Sequence, residues 1–301
     1  MPSMSKINST LTLLRNKRKL DYDCRVEMPE KARKNSVLSW TQPRKIHQSS
    51  KVLRKYFSSI KLMMKSANGT LYAAKEINSG RPVCLKQFEK SRTTCMEYYN
   101  KTQIPAEIFF HFKAYEAAPG HIVQPIDWLE FKDYYVLVME RPIKFVDLFE
   151  AVKQYPHGMA ENKALFIHNQ LVTAAKALQS AGICHRDIKD ENVLIDPSTL
   201  KIKIIDFGSA TWVEEKYTRP RGTPEYWPPE YFLEDEYRPE ELTVWSLGCI
   251  LYILLTGEWK FKKPIVQRNY SKEKLFSLDT YNLVQGILCA NPKQRFKLED
   301  L

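Results

Sequence analysis

The chain has 301 residues, 44% of them hydrophobic, and a formal net charge of +11. That length and apolar content can bury one two-lobed core or two small ones. The charge is confined to one end: residues 1–55 hold 14 Lys and Arg against 4 Asp and Glu, leaving 32 against 31 for the rest.

An arm over residues 1–51 is rich in Lys, Arg, Ser and Asn and has no sustained apolar period. Burial cannot offset its ordering entropy, so disorder is expected there. Its run Arg15 to Lys19 fits a nuclear address, a phosphate-binding patch or a solvated charge run. Without interleaved aromatics it defines no nucleic-acid site. Six cysteines (Cys24, Cys84, Cys95, Cys184, Cys249, Cys289) show no paired metal-ligand spacing. This argues against a zinc site and a secreted disulfide framework, and points to reduced thiols in cytosol or nucleus. No long apolar block opens the chain, and Val244 to Leu255 is too short to span a bilayer, so no membrane attachment is expected.

From Tyr56 onward, short segments rich in β-branched and aromatic residues predict strands at 56–64, 70–77, 82–88, 122–131 and 134–140. Between the third and fourth, Ile108, Phe109 and Phe112 fall at helical spacing beside Glu107, predicting one helix over 105–115. Beyond Pro142 the period lengthens, with helices predicted at 145–154, 160–181 and 240–256. The fold class is therefore α+β: a small antiparallel-sheet lobe with one main helix, followed by a larger helical lobe. The domain is read as 52–301, with the small lobe to about residue 139, a hinge at about 140–143 and the large lobe from about 144. Proline and charged residues gather between Tyr217 and Glu240, predicting an exposed loop.

The strongest chemical signal is HRDIKDEN at His185 to Asn192, followed by DFG at Asp206 to Gly208. Transfer of a γ-phosphoryl group needs a positioned hydroxyl and neutralised phosphate charge. Asp187 is expected to accept or orient the proton of the attacking hydroxyl. Asn192 and Asp206 offer the hard oxygens that Mg²⁺ prefers. Lys189 places a cation where charge on the transferred group needs stabilising.

These motifs, with ERP at Glu140 to Pro142, DLF at Asp147 to Phe149, PPE at Pro228 to Glu230 and VWSLG at Val244 to Gly248, resemble the eukaryotic protein kinases, most closely the PIM kinases. Val244 stands where most protein kinases carry aspartate, a departure this chain shares with that group. The resemblance implies a serine/threonine kinase using ATP and Mg²⁺. It places Lys86, Glu107, Gly69, Glu140, Asp147 and Asp206 around the nucleotide. Lys86 would contact the phosphates and pair with a helix glutamate, for which Glu107, Glu97 and Glu116 are candidates.

Of the family's glycine loop only Gly69 survives, with Met64 and Ser66 in place of two glycines, so weaker nucleotide binding is expected. Pro142 has no N–H, leaving adenine the Glu140 carbonyl as its hinge partner, with Met139 as gatekeeper. Tyr217, Thr218 and Thr223 are possible phosphorylation sites that would pair with Arg186, and Tyr217 is expected to be exposed. By resemblance, constitutive activity regulated by protein amount is expected; the protein is expected to be a monomer. Asp147, Asp190 and Glu191 suggest an acidic surface for substrates with basic residues upstream of Ser or Thr. Glu230 and Arg295 match the family's buried structural pair. A nucleotide-binding scaffold with weak catalysis is the alternative. The degraded glycine loop favours it, while retention of Lys86, Asp187, Asn192 and Asp206 favours the enzyme.

Overall fold

The structure, a computed structural model, describes residues 44–45, 53–66, 68–93, 95–99, 102–219, 221–234, 236–258 and 276–301. Apart from residues 44–45, the arm lies outside the described residues.

The small lobe is built on a sheet of β2 (Phe57–Ser66), β3 (Gly69–Glu76), β4 (Pro82–Glu89), β7 (Pro125–Glu130) and β8 (Tyr134–Glu140). Its order is β7-β8-β4-β3-β2, antiparallel throughout, and the two-residue β1 (Arg44–Lys45) adds parallel to β7. Strand alternation sorts the side chains by face. Val83, Leu85, Val136 and Val138 join one apolar cluster, while Phe88, Leu137 and Met139 join the main core. Lys86 alternates with Leu85 and so shares the Phe88 side, facing the main core.

Between β4 and the helix lies a hairpin of β5 (Met96–Tyr99) and β6 (Thr102–Pro105), which the sequence pattern did not predict. It runs directly into helix α2 (Ala106–Ala117), following the four-residue α1 (Leu53–Tyr56) in chain order. The Ala106 N–H donates to the Cys95 carbonyl at 3.0 Å, fixing where α2 begins.

The large lobe holds the short α3 (Leu148–Val152), α4 (Glu161–Ser180), α5 (Pro229–Glu234), α6 (Pro239–Thr256) and α7 (Leu278–Ile287). Helix α4 buries Ala164, Ile167, Leu171, Ala174, Ala175 and Leu178, one stripe at helical spacing. Helix α6 starts with Pro239 in its first turn, where a missing N–H costs nothing. Every residue from Val244 to Leu255 is buried, which makes α6 the centre of the lobe. No helix among the described residues is long and apolar enough to cross a membrane.

Two-residue β9 (Val146–Asp147) pairs with β11 (Val193–Ile195), which pairs with β12 (Ile202–Ile204). A separate ladder joins β10 (Ile183–Cys184) to β13 (Thr211–Trp212). These short ladders fix the loop after β10 and the turn after β12, which carry the two motifs.

The stretch from Tyr217 to Glu240 departs from the exposed loop expected of it. Tyr217, Tyr231, Tyr237 and Leu242 form a buried cluster with Cys184, and Tyr217 exchanges backbone hydrogen bonds with Tyr237 at 2.8 and 3.0 Å. Tyr217 is 5% exposed, not solvent-facing. Its tyrosines pack on one another, Tyr217 and Tyr231 both against Tyr237, contacts that local composition does not reveal. Cys84, Cys184, Cys249 and Cys289 are free thiols, whereas Cys95 is not.

Candidate active site

Three predicted residues meet at the interface of sheet, helix and motif. Lys86 Nζ lies 2.6 Å from Glu107 Oε1 and 2.9 Å from Asp206 Oδ1. Burial alone would lower the Lys86 pKa, but the two carboxylates outweigh it and hold the ammonium above its ordinary range. Burial raises Glu107, with Lys86 pulling back part of the rise. Asp206 would also rise on burial, yet the charge and hydrogen bond of Lys86 and the Gly208 N–H bring it down to about 2. Asp206 is therefore a fixed anion, and Lys86 a fixed cation, across the neutral range. Of the three glutamates considered for Lys86, Glu107 takes the role. Glu97 instead accepts from Trp212 Nε1 at 3.4 Å, and Glu116 accepts from Lys113 at 3.0 Å.

The loop after β10 holds its own network. Asn192 Nδ2 donates to both the carbonyl and Oδ2 of Asp187, at 2.8 and 3.0 Å. This commits the amide nitrogen, so the acceptor oxygen Oδ1 is the atom left for a cation. Asp187 Oδ1 accepts from Thr223 Oγ1 at 2.8 Å. Burial pushes the Asp187 carboxyl up, and Lys189 and the Thr223 hydroxyl only partly oppose it. The Asp187 N–H donates to His185 Nδ1 at 3.3 Å, which leaves Nε2–H to donate to the Ile205 carbonyl at 3.1 Å. The same ring meets Phe207 edge-on at 4.8 Å. The two motifs are thereby tied together through His185.

Backbone strain marks both motifs: Arg186 and Asp206 have φ of 62° and 63°, rarely adopted by non-glycine residues. Gly222 is required here, because a Cβ on it would lie 2.2 Å from the Arg186 carbonyl and 3.0 Å from Asp187 Oδ1. Arg186 Nε donates to the Ser209 carbonyl at 2.7 Å, and its guanidinium sits 5.2 Å from the centre of the Tyr217 ring.

Other predicted residues occupy different settings. Lys189 pairs with Glu191 at 2.6 Å; burial works against its charge, but the Glu191 hydrogen bond and the Asp187 charge hold it above the usual range. Asp190 is 2% exposed, so it cannot contribute to an acidic surface. Asp147 Oδ1 caps α3 by accepting from the Glu150 N–H at 2.7 Å. Glu140 ends β8, and its carboxylate pairs with Lys203. Gly69 follows the turn after β2 at φ 137°, where a Cβ would lie 2.6 Å from the Gln87 carbonyl. Sheet packing alone thus demands a glycine there. Asn68 N–H donates to Ser66 Oγ at 3.2 Å, tying the same turn.

Thr223 as a hydrogen-bond partner of Asp187 was not legible from sequence, where it stood only as a possible phosphorylation site. Its spacing from Glu230 locates the segment but does not indicate which way the hydroxyl turns. Glu230 and Arg295 form a buried bidentate pair at 2.7 and 2.8 Å.

Residues 58–301 match the protein kinase domain family, and the chain belongs to it. More particularly, it is a serine/threonine protein kinase. It is 35% identical over 247 residues to the serine/threonine-protein kinase pim-2 of Danio rerio, covering 77% of this chain and 78% of that protein. It is 31% identical to the serine/threonine-protein kinase prk-2 of Caenorhabditis elegans, spanning 84% of this chain but 59% of that protein. Serine/threonine-protein kinase 1 of African swine fever virus is 30% identical over 85% of this chain and 82% of its own length. Family membership brings ATP as donor and proteins as substrates.

Proposed function

We propose that this kinase transfers phosphate to Ser or Thr in protein segments with basic residues upstream, and that it does so without a phosphate on its own activation segment. The observation carrying the catalytic reading is the convergence of Lys86 on Glu107 and Asp206. The donor set suits Mg-ATP: Asp206 supplies a permanently ionised carboxylate, Asn192 an amide oxygen, and Lys86 a cation within reach of Asp206. Bound Mg-ATP supplies the γ-phosphoryl group and the metal charge that neutralises it.

Within that frame Asp187 orients the incoming hydroxyl and takes its proton. Asn192 and Thr223 hold its carboxylate by two hydrogen bonds. A carboxyl raised by burial is a better proton acceptor than a solvated one. Lys189, paired with Glu191, supplies a cation beside Asp187 for the charge on the transferred group.

Phosphate independence is supported by Arg186. Its guanidinium already serves the Ser209 carbonyl and the Tyr217 ring, and the Lys86–Glu107 pair is closed in the unmodified chain. The basic-substrate preference rests on similarity to the PIM group, with Glu191 as the exposed acidic residue of the motif. The deciding assay incubates wild type and Asp187→Asn with Mg-ATP and an arginine-rich Ser/Thr peptide. Incorporation confined to wild type, and retained after phosphatase treatment, is expected. Equal incorporation by both proteins would sink the assignment. Loss of activity on dephosphorylation would overturn phosphate independence, and a peptide array favouring acidic or proline-directed sites would overturn the specificity.

A further inference from the structure

Among the rings on helix α2, Phe109 and Phe110 lie two and three residues beyond Glu107 and face the strand that leaves the Asp206 motif. Both meet Trp212 edge-on, at 5.7 Å and 66° and at 5.3 Å and 70°, and they meet each other at 5.4 Å and 89°. All three are essentially excluded from solvent, at 0–1% exposure. Trp212 is itself anchored through its backbone. It pairs with Ile183 across the β10–β13 ladder. The next N–H, of Val213, donates to the Gly182 carbonyl at 2.7 Å, and the Trp212 carbonyl accepts from the Tyr217 hydroxyl at 2.7 Å. The indole Nε1 donates to Glu97 on β5, in the hairpin that leads into α2.

We propose that Trp212 is a positioning residue for the Lys86–Glu107 pair, bracing Phe109 and Phe110 so that α2 stays against the cleft without a second protein to hold it there. The proposal rests on the assignment of Lys86 and Asp187 to phosphoryl transfer. Burial disfavours the Glu107 charge, so a helix free to rock would carry Glu107 toward water and leave Lys86 with Asp206 alone. Some contact must oppose that motion. Edge-to-face aromatic pairs are directional, so they resist sliding and rotation of the helix more than aliphatic packing does. Trp212 lies four residues beyond Gly208, which couples the helix to the strand leaving the Asp206 motif. A second tie, His111 against Phe207 at 5.0 Å, means that loss of Trp212 weakens helix docking without abolishing it.

The test is a double-mutant cycle between Trp212→Ala and Glu107→Gln in the full chain, read as kcat per titrated active site. Trp212→Ala is expected to lower kcat about ten- to thirtyfold, with peptide KM within about twofold. Added to Glu107→Gln, it should cost little more, because the pair it positions is already broken. Trp212→Phe, which keeps the ring edges, should retain kcat within about threefold. Trp212→Leu is carried through the same cycle and decides the matter if the alanine variant does not fold. Losses that multiply, or a folded Trp212→Ala or Trp212→Leu protein with full kcat, overturn the proposal, since a merely structural role predicts independence from Glu107. A wild type without Asp187-dependent transfer would instead remove the underlying assignment, a result distinct from an additive cycle.

Discussion

Lys203 Nζ forms an ion pair with Glu140 Oε1, joining β12, three residues before Asp206, to the last residue of β8. The Gln124 N–H donates to the same Glu140 oxygen at 2.8 Å, and Arg81 Nη2 donates to Gln124 Oε1 at 2.6 Å. The reading of Glu140 from sequence used only its backbone carbonyl. Its side chain adds a brace between the end of β8 and the strand that leads to Asp206.

Breaking this brace should act on nucleotide binding. Both side chains are about one-fifth exposed, so solvent screens the pair and the effect stays moderate. Lys203→Met is expected to raise the KM for ATP about three- to tenfold, with kcat within about twofold of wild type. Steady-state rates at varied ATP check this. An unchanged KM would show that the pair contributes to the fold and not to the cleft.

Thr223 makes a different prediction, on the chemical step. Thr223→Val removes a hydroxyl that both orients Asp187 and opposes the rise of its pKa. About a tenfold drop in kcat is expected, with Thr223→Ser close to wild type. The sign for pH follows from the same bond. Asp187 must be ionised to act, its carboxyl is already raised, and loss of the hydroxyl raises it further, so the acid limb of the kcat profile should move to higher pH. A limb in the same place in Thr223→Val and wild type would show that the hydroxyl does not tune Asp187.

Glu230 and Arg295 test stability apart from catalysis. The Arg295 guanidinium also donates to the carbonyls of Glu241 and Cys289, at 3.1 and 2.9 Å, and lies 4.9 Å from the centre of the Trp245 ring. Arg295→Leu strands a buried carboxylate, at a cost of about 3–5 kcal/mol. Urea unfolding should show that loss, while molecules that remain folded keep their KM for ATP. A loss below about 1 kcal/mol would mean that Glu230 finds solvent or another partner.

How much of this was legible in the sequence depends on how local each feature is. Strand β8 matched its predicted bounds, because Tyr134 to Met139 alternates between two apolar faces with Asp133 before it and Pro142 just after. The motif residues Asp187, Asn192 and Asp206 stood out in the sequence because they fall at fixed spacings within two short motifs. Glu107 stayed ambiguous until the β5–β6 hairpin assigned Glu97 elsewhere, and that hairpin mixes polar and aromatic residues without a clear period. Asp190 and Tyr217 were read as surface groups because both lie among charged residues. Their burial is imposed by elements distant in the chain. Gly69 was read as part of a phosphate loop, but the Gln87 carbonyl supplies a separate reason for it.

His168 offers a stability prediction that no motif suggested. It is buried on α4, neither ring nitrogen has a hydrogen-bond partner, and desolvation lowers its pKa to about 4. The unfolded chain takes up this proton near pH 6.5 and the folded chain only near 4, so stability is complete above the first value and is lost as pH falls through that window. His111, also lowered to about 4 by burial although bonded to the Val123 carbonyl, adds a parallel loss that persists in His168 variants. His168→Leu removes the desolvated nitrogens and should gain about 1–2 kcal/mol at pH 7. At pH 5 its advantage should widen by about 2 kcal/mol, the linkage contribution that wild type has forfeited. Urea midpoints at both pH values measure this. Equal midpoints for variant and wild type at pH 5 would mean that the ring reaches a proton donor or water in the folded protein.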